Sequence, residues 1–152
     1  VEARGGVLKK VTYHLSGSDM LIYFGVPTAH TNDPVRAADA ALAIREVVRA
    51  IKPPTIGGLQ PEITCQIGIN QGAVFVGEIG EPRGRREYNV LSDTVNTAAR
   101  LMNKASKDQI ILSGKIQPAL SSLFKMESLG MVALKGKSSE MPIFELIEKH
   151  KL

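Results

Sequence analysis

Two polar side chains, Asn96 and Arg100, stand four residues apart in the stretch EYNVLSDTVNTAARLM at positions 87–102. This stretch predicts a short strand, a turn and then a helix that begins at Asp93. In a helix, a spacing of four puts both side chains on one face, about one turn apart. Arginine presents a rigid fork of donors that suits phosphate oxygens, and asparagine can both donate and accept at a ribose. The pair is therefore a candidate site for a sugar and a phosphate.

The same pair also fits a solvated helix face, which is the ordinary explanation of polar residues at this spacing. Other residues of the helix can supply its packing side, namely Val95, Ala98, Ala99, Leu101 and Met102. Because packing does not require Asn96 or Arg100, the functional interpretation gains weight.

The elements that must position this pair alternate between strands and helices. Strands are predicted at 6–11, 20–24, 63–69, 74–79, 109–112, 131–134 and 143–147, and helices at 33–51, from 93 onward and at 116–120. Asp33 is the predicted N-cap of the first long helix, with Pro34 at its first helical position. This order predicts an α+β fold, a sheet covered by helices largely on one face.

Composition bounds the class of protein. The chain has 152 residues, 43% hydrophobic and 22% charged, which is enough for one domain with a real core. No apolar run approaches the ~18 residues of a membrane span, and the first residues lack signal-peptide character. We therefore expect a soluble, cytoplasmic segment without membrane contact. The single cysteine, Cys65, lies in an alternating run and is more simply an inert buried thiol than a nucleophile.

One other basic motif, and the basic charge of the chain as a whole, do not meet the requirements of the binding sites that they suggest. Gly136, Lys137 and Ser138 suggest a phosphate loop, but position 131 is Met where that motif needs Gly, and no helix is predicted to follow. A net charge of +4 and a pI near 9.3 permit anionic ligands without specifying one. Nucleic-acid binding would need a longer basic face with interleaved aromatic residues, so we expect no nucleic-acid partner.

Four stretches resemble the catalytic domains of class III nucleotidyl cyclases, in the family's order and at its spacings. They are LIYFGVPTAHTNDPVRAADAALAI, ITCQIGINQGAVFVGEIG, REYNVLSDTVNTAARLM and VALKGKSSEMPIFEL. The resemblance covers nearly the whole chain and is greatest to the second, metal-poor catalytic domain of soluble-type adenylyl cyclases. It implies a ferredoxin-like α+β domain with an antiparallel or mixed sheet. It also implies a head-to-tail pair of domains, with active sites at their interface.

The resemblance implies a role for each candidate site residue. Asn96 matches the asparagine that orients the ribose, and Arg100 matches the arginine that stabilises phosphate charge in the transition state. Lys135 matches a phosphate-contacting lysine, and Lys10 matches the lysine that reads adenine. Asn89 falls at the second purine-reading position. Lys10 favours adenine over guanine, whereas Asn89, as both donor and acceptor, does not settle the base.

Two departures from the family concern its metal ions, which lie between two aspartates. The first aspartate belongs to a strand without counterpart here, so we expect 1–152 to be a single, N-terminally truncated cyclase domain. At the second place Gly17 is followed by Ser18, and the aspartate comes one position later, at Asp19. A shift of one residue turns a side chain to the opposite face of a strand. Asp19 is therefore a candidate metal ligand only if the turn contains a bulge, and we expect Mg2+ or Mn2+ to be held mainly by a partner domain.

These features predict part of an adenylyl cyclase that converts ATP to cyclic AMP and pyrophosphate. The chain would supply base, ribose and phosphate contacts in a homo- or heterodimer with a second cyclase domain, and would be weak or inactive without a metal-bearing partner. The alternative is a non-catalytic, cyclase-like regulatory module that binds a nucleotide or another anion. The presence of Asn96 and Arg100 argues against complete degeneration, whereas Ser18 and Asn89 argue for partial loss. A ferredoxin-like nucleic-acid-binding domain is disfavoured by the scarcity of aromatic residues.

Overall fold

The computed structural model describes residues 4–14, 17–25, 29–53, 55, 57–59, 62–72, 84–134 and 139–151. The elements within these ranges are β1 (Gly6–His14), β2 (Gly17–Phe24), α1 (Asp33–Ala50), β3 (Gln66–Ile69), α2 (Gly84–Lys104), β4 (Gln109–Ser113), α3 (Gln117–Leu120), β5 (Phe124–Ala133) and β6 (Glu140–Lys149). Among the described helices, none combines the length and the apolar character needed to cross a membrane. The predicted strand at 74–79 lies outside the described residues.

Most elements lie where the sequence predicts them, with different bounds. The first two strands extend to their turn at His14 and Gly17, and β5 begins at Phe124 rather than at position 131. The third strand is shorter than predicted, because β3 begins only at Gln66. The α1 helix begins one residue early, with Asn32 as its N-cap residue. The side chain of Asp33 makes other contacts, which are described below.

The predicted strand and turn before Asp93 are wrong, because α2 runs unbroken from Gly84 to Lys104. Tyr88 and Val90 favour a strand locally. Arg85, Arg86 and Glu87 before them are good helix formers, and no Gly or Pro after Gly84 interrupts the run. The helix that carries Asn96 and Arg100 is therefore about twice as long as the sequence pattern indicated.

The strands form two sheets. The first is the antiparallel hairpin of β1 and β2, and the second has four strands in the order β3-β4-β6-β5. In the second sheet β3 and β4 are parallel, whereas the other neighbouring pairs are antiparallel. The parallel pair needs a crossover connection, which contains α2. The structure confirms the predicted α+β class with a mixed sheet.

Helices cover both faces of the four-stranded sheet. Alternate residues of β4 point to opposite faces. Ile110 and Leu112 join a core cluster with α1 and α3, whereas Ile111 joins a second cluster with Leu101 of α2. Two of the three described helices, α1 and α3, therefore lie on one face of the sheet, as expected, and α2 lies on the other. The unbroken apolar run at 110–112 is typical of a strand that is buried on both faces.

Candidate functional site

Asn96 and Arg100 lie on α2 beside the stripe that packs against the sheet. Thr97, Leu101 and Ala105 form this stripe and are all buried, at 4%, 0% and 4% exposure. Asn96 is exposed and Arg100 is half-buried, as their helical positions next to the stripe require. The structure thus brings the two candidate residues to one side of one helix, one turn apart.

The packing side of α2 differs in part from the predicted one. Leu101 is fully buried as expected. Ala99, which the sequence assigned to the packing side, is exposed, and Val95 and Ala98 are only half-buried. The buried stripe instead follows a strict spacing of four that includes Thr97, which is a polar residue that the sequence did not assign to the core. The stripe is therefore narrow, and it leaves the neighbouring side of the helix to Asn96.

The surroundings of Arg100 differ from those of arginines on α1. Arg45 donates to the Ile147 carbonyl at 2.7 Å, and Arg49 lies 3.2 Å from the Glu46 carboxylate. Within the part of the chain that the structure describes, the Arg100 guanidinium has no such acceptor. A half-buried guanidinium whose charge is not neutralised by a neighbouring carboxylate is suited to an anionic ligand.

Gly68 of β3 sets the distance between α2 and the sheet. A Cβ atom at this position would overlap the Ala98 carbonyl oxygen and the Met102 amide nitrogen. Because both are backbone atoms of the helix, only glycine permits this approach. The sequence offered a signal for it, since an isolated glycine inside a strand indicates a close approach of backbone. Sequence reasoning did not assign this role to Gly68.

A second contact joins the end of β3 to the helical turn before Asn96. The Asn70 side-chain nitrogen donates to the Thr94 carbonyl at 3.1 Å. Thr94 also packs on Gly72, where an added Cβ would lie 2.6 Å from the threonine hydroxyl oxygen. These contacts connect residues far apart in sequence, so no local pattern predicted them. They fix the part of α2 from which Asn96 projects.

Lys10 and Asp19 occupy one face of the β1–β2 hairpin. Lys10 pairs with Leu21 across the strands, and Thr12 pairs with Asp19. The two charged residues are therefore diagonal neighbours on the same face. The Lys10 side chain is exposed and that of Asp19 is half-buried. The hairpin thus leaves the side chain of Lys10 accessible to solvent.

From the Lys10–Leu21 pair to the His14–Gly17 pair, the described part of the hairpin contains no bulge of the kind on which a metal role for Asp19 would depend. Its register is regular from the Lys10–Leu21 pair to the turn, and the irregularity lies between Leu8 and Lys10. Ser18 and Asp19 therefore point to opposite faces of β2. Among the residues that the structure describes, no group of three His, Cys, Asp or Glu side chains could hold a metal ion. The role of Asp19 as a metal ligand stays a prediction.

Two candidate residues lie partly or wholly outside what the structure describes. Lys135 belongs to the stretch 135–138, which is not described, and only the backbone of Asn89 is described. This backbone places Asn89 on α2, about two helical turns before Asn96. The roles of Lys135 and Asn89 stay predictions.

The surroundings of Cys65 do not favour a role as a nucleophile. Burial raises the pKa of its thiol, and the neighbouring Asp108 carboxylate raises it further, against smaller opposing effects of Arg45 and Arg49. The thiolate is the reactive form of cysteine, so a raised pKa lowers reactivity near neutral pH. The residue is half-buried and lies just before β3. The structure gives no reason to assign chemistry to it.

The fold and the site define a nucleotide cyclase catalytic domain. The family model described as the adenylate and guanylate cyclase catalytic domain matches residues 8–148, and the chain belongs to this family. The family predicted from the sequence is thereby confirmed. The likeness to the second domain of soluble-type adenylyl cyclases stays a prediction.

Curated relatives carry both cyclase names. Adenylate cyclase 1 of Rhizobium meliloti (strain 1021) is 30% identical over 149 residues, which is 97% of this chain and 22% of that protein. The human guanylate cyclase soluble subunit beta-2 is 31% identical over 133 residues, or 87% of this chain and 21% of that protein. The chain therefore spans about a fifth of the length of these relatives.

Solved structures of cyclases share the fold. The guanylyl cyclase Cya2 is 28% identical with a TM-score of 0.70, covering 99% of this chain and 74% of its own. The guanylate cyclase domain of RhGC from Catenaria anguillulae, solved in complex with GTP, has a TM-score of 0.75 at 22% identity, covering 98% and 76%. This second likeness concerns the fold alone. Neither comparison distinguishes adenine from guanine as the base that this chain reads.

Proposed function

We propose that residues 1–152 form one cyclase domain that acts as the substrate-reading half of an adenylyl cyclase pair. The reaction would be attack of the ATP ribose 3′-hydroxyl on the α-phosphorus. A bond from O3′ to phosphorus forms, and the bond to the pyrophosphate leaving group breaks. The single observation that carries the proposal is the placement of Asn96 and Arg100 on one side of α2, with no acceptor for the Arg100 guanidinium among the described residues.

The side chains of Asn96 and Arg100 suit different parts of the substrate. Asn96 would orient the ribose through an amide that both donates and accepts. Arg100 would stabilise the negative charge that shifts across the phosphates during reaction. A guanidinium aimed at developing charge acts mainly in the transition state, where a preorganised donor has its largest effect on rate. Lys135 would add a further phosphate contact.

Lys10 supports the choice of adenine. A lysine ammonium has three donors and no acceptor, so it can donate to adenine N1, whereas guanine carries a hydrogen at this nitrogen. The exposed position of Lys10 on the hairpin leaves its ammonium accessible to a base. Asn89 would accept from the exocyclic amine of adenine. Together these two residues make ATP the proposed substrate and cyclic AMP the proposed product.

A partner domain completes the proposed site. Because Ser18 stands at the position of the family's second aspartate and Asp19 points to the opposite face of β2, we assign Mg2+ or Mn2+ mainly to carboxylates of the partner. The partner is a second cyclase domain, either a copy of this chain or a different one. On this proposal the chain by itself cyclises ATP weakly or not at all.

The second candidate function is a regulatory module that binds a nucleotide without converting it. The observation that favours it is Ser18 at the position of the family's second aspartate, with Asp19 on the opposite face of the strand. Such a module would still use Asn96 and Arg100 to bind ribose and phosphate. It would differ from the enzyme half in giving no turnover with any partner.

A complementation assay separates these two functions. The chain is mixed with a cyclase domain that has both metal aspartates but whose own ribose and phosphate residues are replaced by alanine. Product can then form only at a composite site, and we call this mixture the complemented pair. We expect cyclic AMP from the complemented pair and little from either component alone. Robust product from the chain alone would contradict the divided site, and nucleotide binding without turnover in the pair would favour the regulatory module.

A further inference from the structure

Within the described part of the chain, the hairpin that carries Lys10 packs on α1, and its two ends lie against the start of this helix. Among the described strands, those of the hairpin pair only with each other, and they form a two-stranded sheet beside the four-stranded one. Among the described elements, α1 packs against both β1 and β2. The contacts at the N-terminal end of α1 are therefore the described contacts that can hold the hairpin against the domain.

Two side chains of α1 lie directly against the two ends of the hairpin. A Cβ at Gly5, the residue before β1, would overlap the Arg36 guanidinium, and a Cβ at Gly25, the residue after β2, would overlap the Asp33 carboxylate. Both glycines have positive φ, +79° and +85°, which L side chains rarely adopt. The backbone at both ends of the hairpin is thus shaped to receive these two side chains.

The side chains of Asp33 and Arg36 contact each other, and both contact His30. One Asp33 oxygen accepts the His30 backbone N–H at 2.6 Å, and the other pairs with the Arg36 guanidinium. The same guanidinium lies 2.9 Å from the His30 ring nitrogen Nδ1. Its Nε atom is buried and finds no acceptor within the described part of the chain. The arrangement is more enclosed than a solvated helix pair, since the Asp33 side chain is only 14% exposed.

The opposite end of α1 offers a contrast. Arg49 and Glu46 have the same spacing of three, but their side chains are 48% and 67% exposed. Exposed pairs of this kind contribute little to structure because water competes for both charges. The half-buried pair at the start of α1 has a different environment from an otherwise matched pair on the same helix.

We propose that Asp33 and Arg36 form a joint that positions the β1–β2 hairpin, and through it Lys10, against the base of the substrate. Neither residue touches substrate in this arrangement, so both are positioning residues. The inference rests on the proposed function for its effect on base choice. The structural part of the proposal, that Asp33 and Arg36 fix the hairpin, does not depend on any enzymatic activity.

The structural half is tested by hydrogen exchange on the chain. In Arg36→Gln we expect amides of β1 and β2 to exchange about tenfold faster or more, the scale of losing one buried charged hydrogen bond. Amides of β4 and β6 should keep their parent rates, and Arg49→Gln should change neither group. Equal rates in parent and Arg36→Gln hairpins would overturn the joint, whether or not the protein is a cyclase. Asp33→Asn, which keeps size and shape, provides a second variant with the same expected direction if Arg36→Gln does not fold.

The functional half is tested by a double-mutant cycle in the complemented pair. If Arg36 acts through Lys10, Arg36→Gln lowers the ratio of kcat/KM for ATP over GTP, and adding it to Lys10→Ala lowers the ratio no further. A merely structural residue would reduce the amount of folded protein and leave the ratio unchanged. An unchanged ratio in Arg36→Gln, or full additivity with Lys10→Ala, would overturn positioning through Lys10. A parent pair without any turnover would instead contradict the proposed function, and the hydrogen-exchange result alone would then decide the joint.

Discussion

Gly68 in the middle of β3 lies so close to the carbonyl oxygen of Ala98 that no side chain fits between them. This contact places α2 on the sheet, and α2 carries both Asn96 and Arg100. The distance between strand and helix is therefore a condition for the site. Any atom added at Gly68 must move the helix, because helix backbone rather than a flexible side chain occupies the space.

Replacing Gly68 with alanine should separate α2 from β3. Overpacking of this kind costs about 1–3 kcal/mol of the free energy of unfolding, measurable from the urea midpoint at unchanged slope. The variant should also lose activity in the complemented pair beyond its loss of folded protein, since Asn96 and Arg100 move with the helix. Ala99→Ser, at an exposed position of the same helix, should change stability by less than ~0.5 kcal/mol. Parent-like stability in Gly68→Ala would show that the helix approaches the strand less closely than we describe.

The Asp33 carboxyl should make stability depend on pH in the acid range. Burial opposes its ionisation, but the His30 N–H hydrogen bond and the Arg36 guanidinium outweigh burial and hold its pKa below the ordinary value of 3.8. A group with a lowered folded-state pKa stabilises the protein while ionised, and this contribution is lost as pH falls through that pKa. The stability advantage of the parent over Asp33→Asn should therefore be full at about pH 5 and shrink toward pH 3.

Urea unfolding of both proteins between these two pH values provides the measurement. An advantage over Asp33→Asn that stays constant down to about pH 3 would mean that the ionised carboxylate gains nothing from its neighbours.

Base choice should respond to the two proposed purine readers. The resemblance places Glu and Cys in guanylyl cyclases at the positions of Lys10 and Asn89. Loss of one buried hydrogen-bond partner costs ~1–3 kcal/mol, or roughly ten- to a hundredfold in rate. Lys10→Glu with Asn89→Cys should therefore shift the kcat/KM ratio of the complemented pair from ATP toward GTP by at least about tenfold.

The control for this shift is Lys125→Glu, which makes the same change of charge at an exposed position of β5. Its ATP to GTP ratio should match that of the parent. If the double variant also keeps the parent ratio, Lys10 and Asn89 do not line the base pocket, and adenine specificity must be sought elsewhere in the chain.

Local patterns predicted the features that depend on local geometry. The spacing of Asn96 and Arg100 is a property of one helix, so it could be obtained from sequence alone. The apolar strand at 110–112 was likewise visible in the sequence. A strand that is buried on both faces needs cover on both faces, and the cover by α2 was not predicted. The family resemblance added what local patterns could not, namely the reaction class and the expected partner.

Features that depend on long-range contacts were not predicted. The extension of α2 past Tyr88 and Val90 was missed for a different, local reason, since these two residues taken alone prefer a strand. The bond from Asn70 to the Thr94 carbonyl and the joint between Arg36 and Gly5 connect distant parts of the chain. The partners in these contacts become neighbours only in the folded protein, and such proximity cannot be inferred from a single sequence.

The central claim is that Arg100 stabilises phosphate charge in the transition state of cyclisation. An interaction made mainly in the transition state appears as lost kcat with little change in KM. Removing such a donor commonly costs ~3–4 kcal/mol, about two to three powers of ten in rate. Lys104→Ala is the matched control, since it removes an exposed cation one turn later on the same helix.

The most direct test is therefore kcat of the complemented pair with Arg100→Ala, measured beside Lys104→Ala. We predict that Arg100→Ala lowers kcat at least about a hundredfold, with fold, pairing and KM for ATP nearly unchanged. Lys104→Ala should stay within a few-fold of the parent. An Arg100→Ala pair whose kcat also stays within a few-fold of the parent would make Arg100 a surface cation and contradict the catalytic role of this chain.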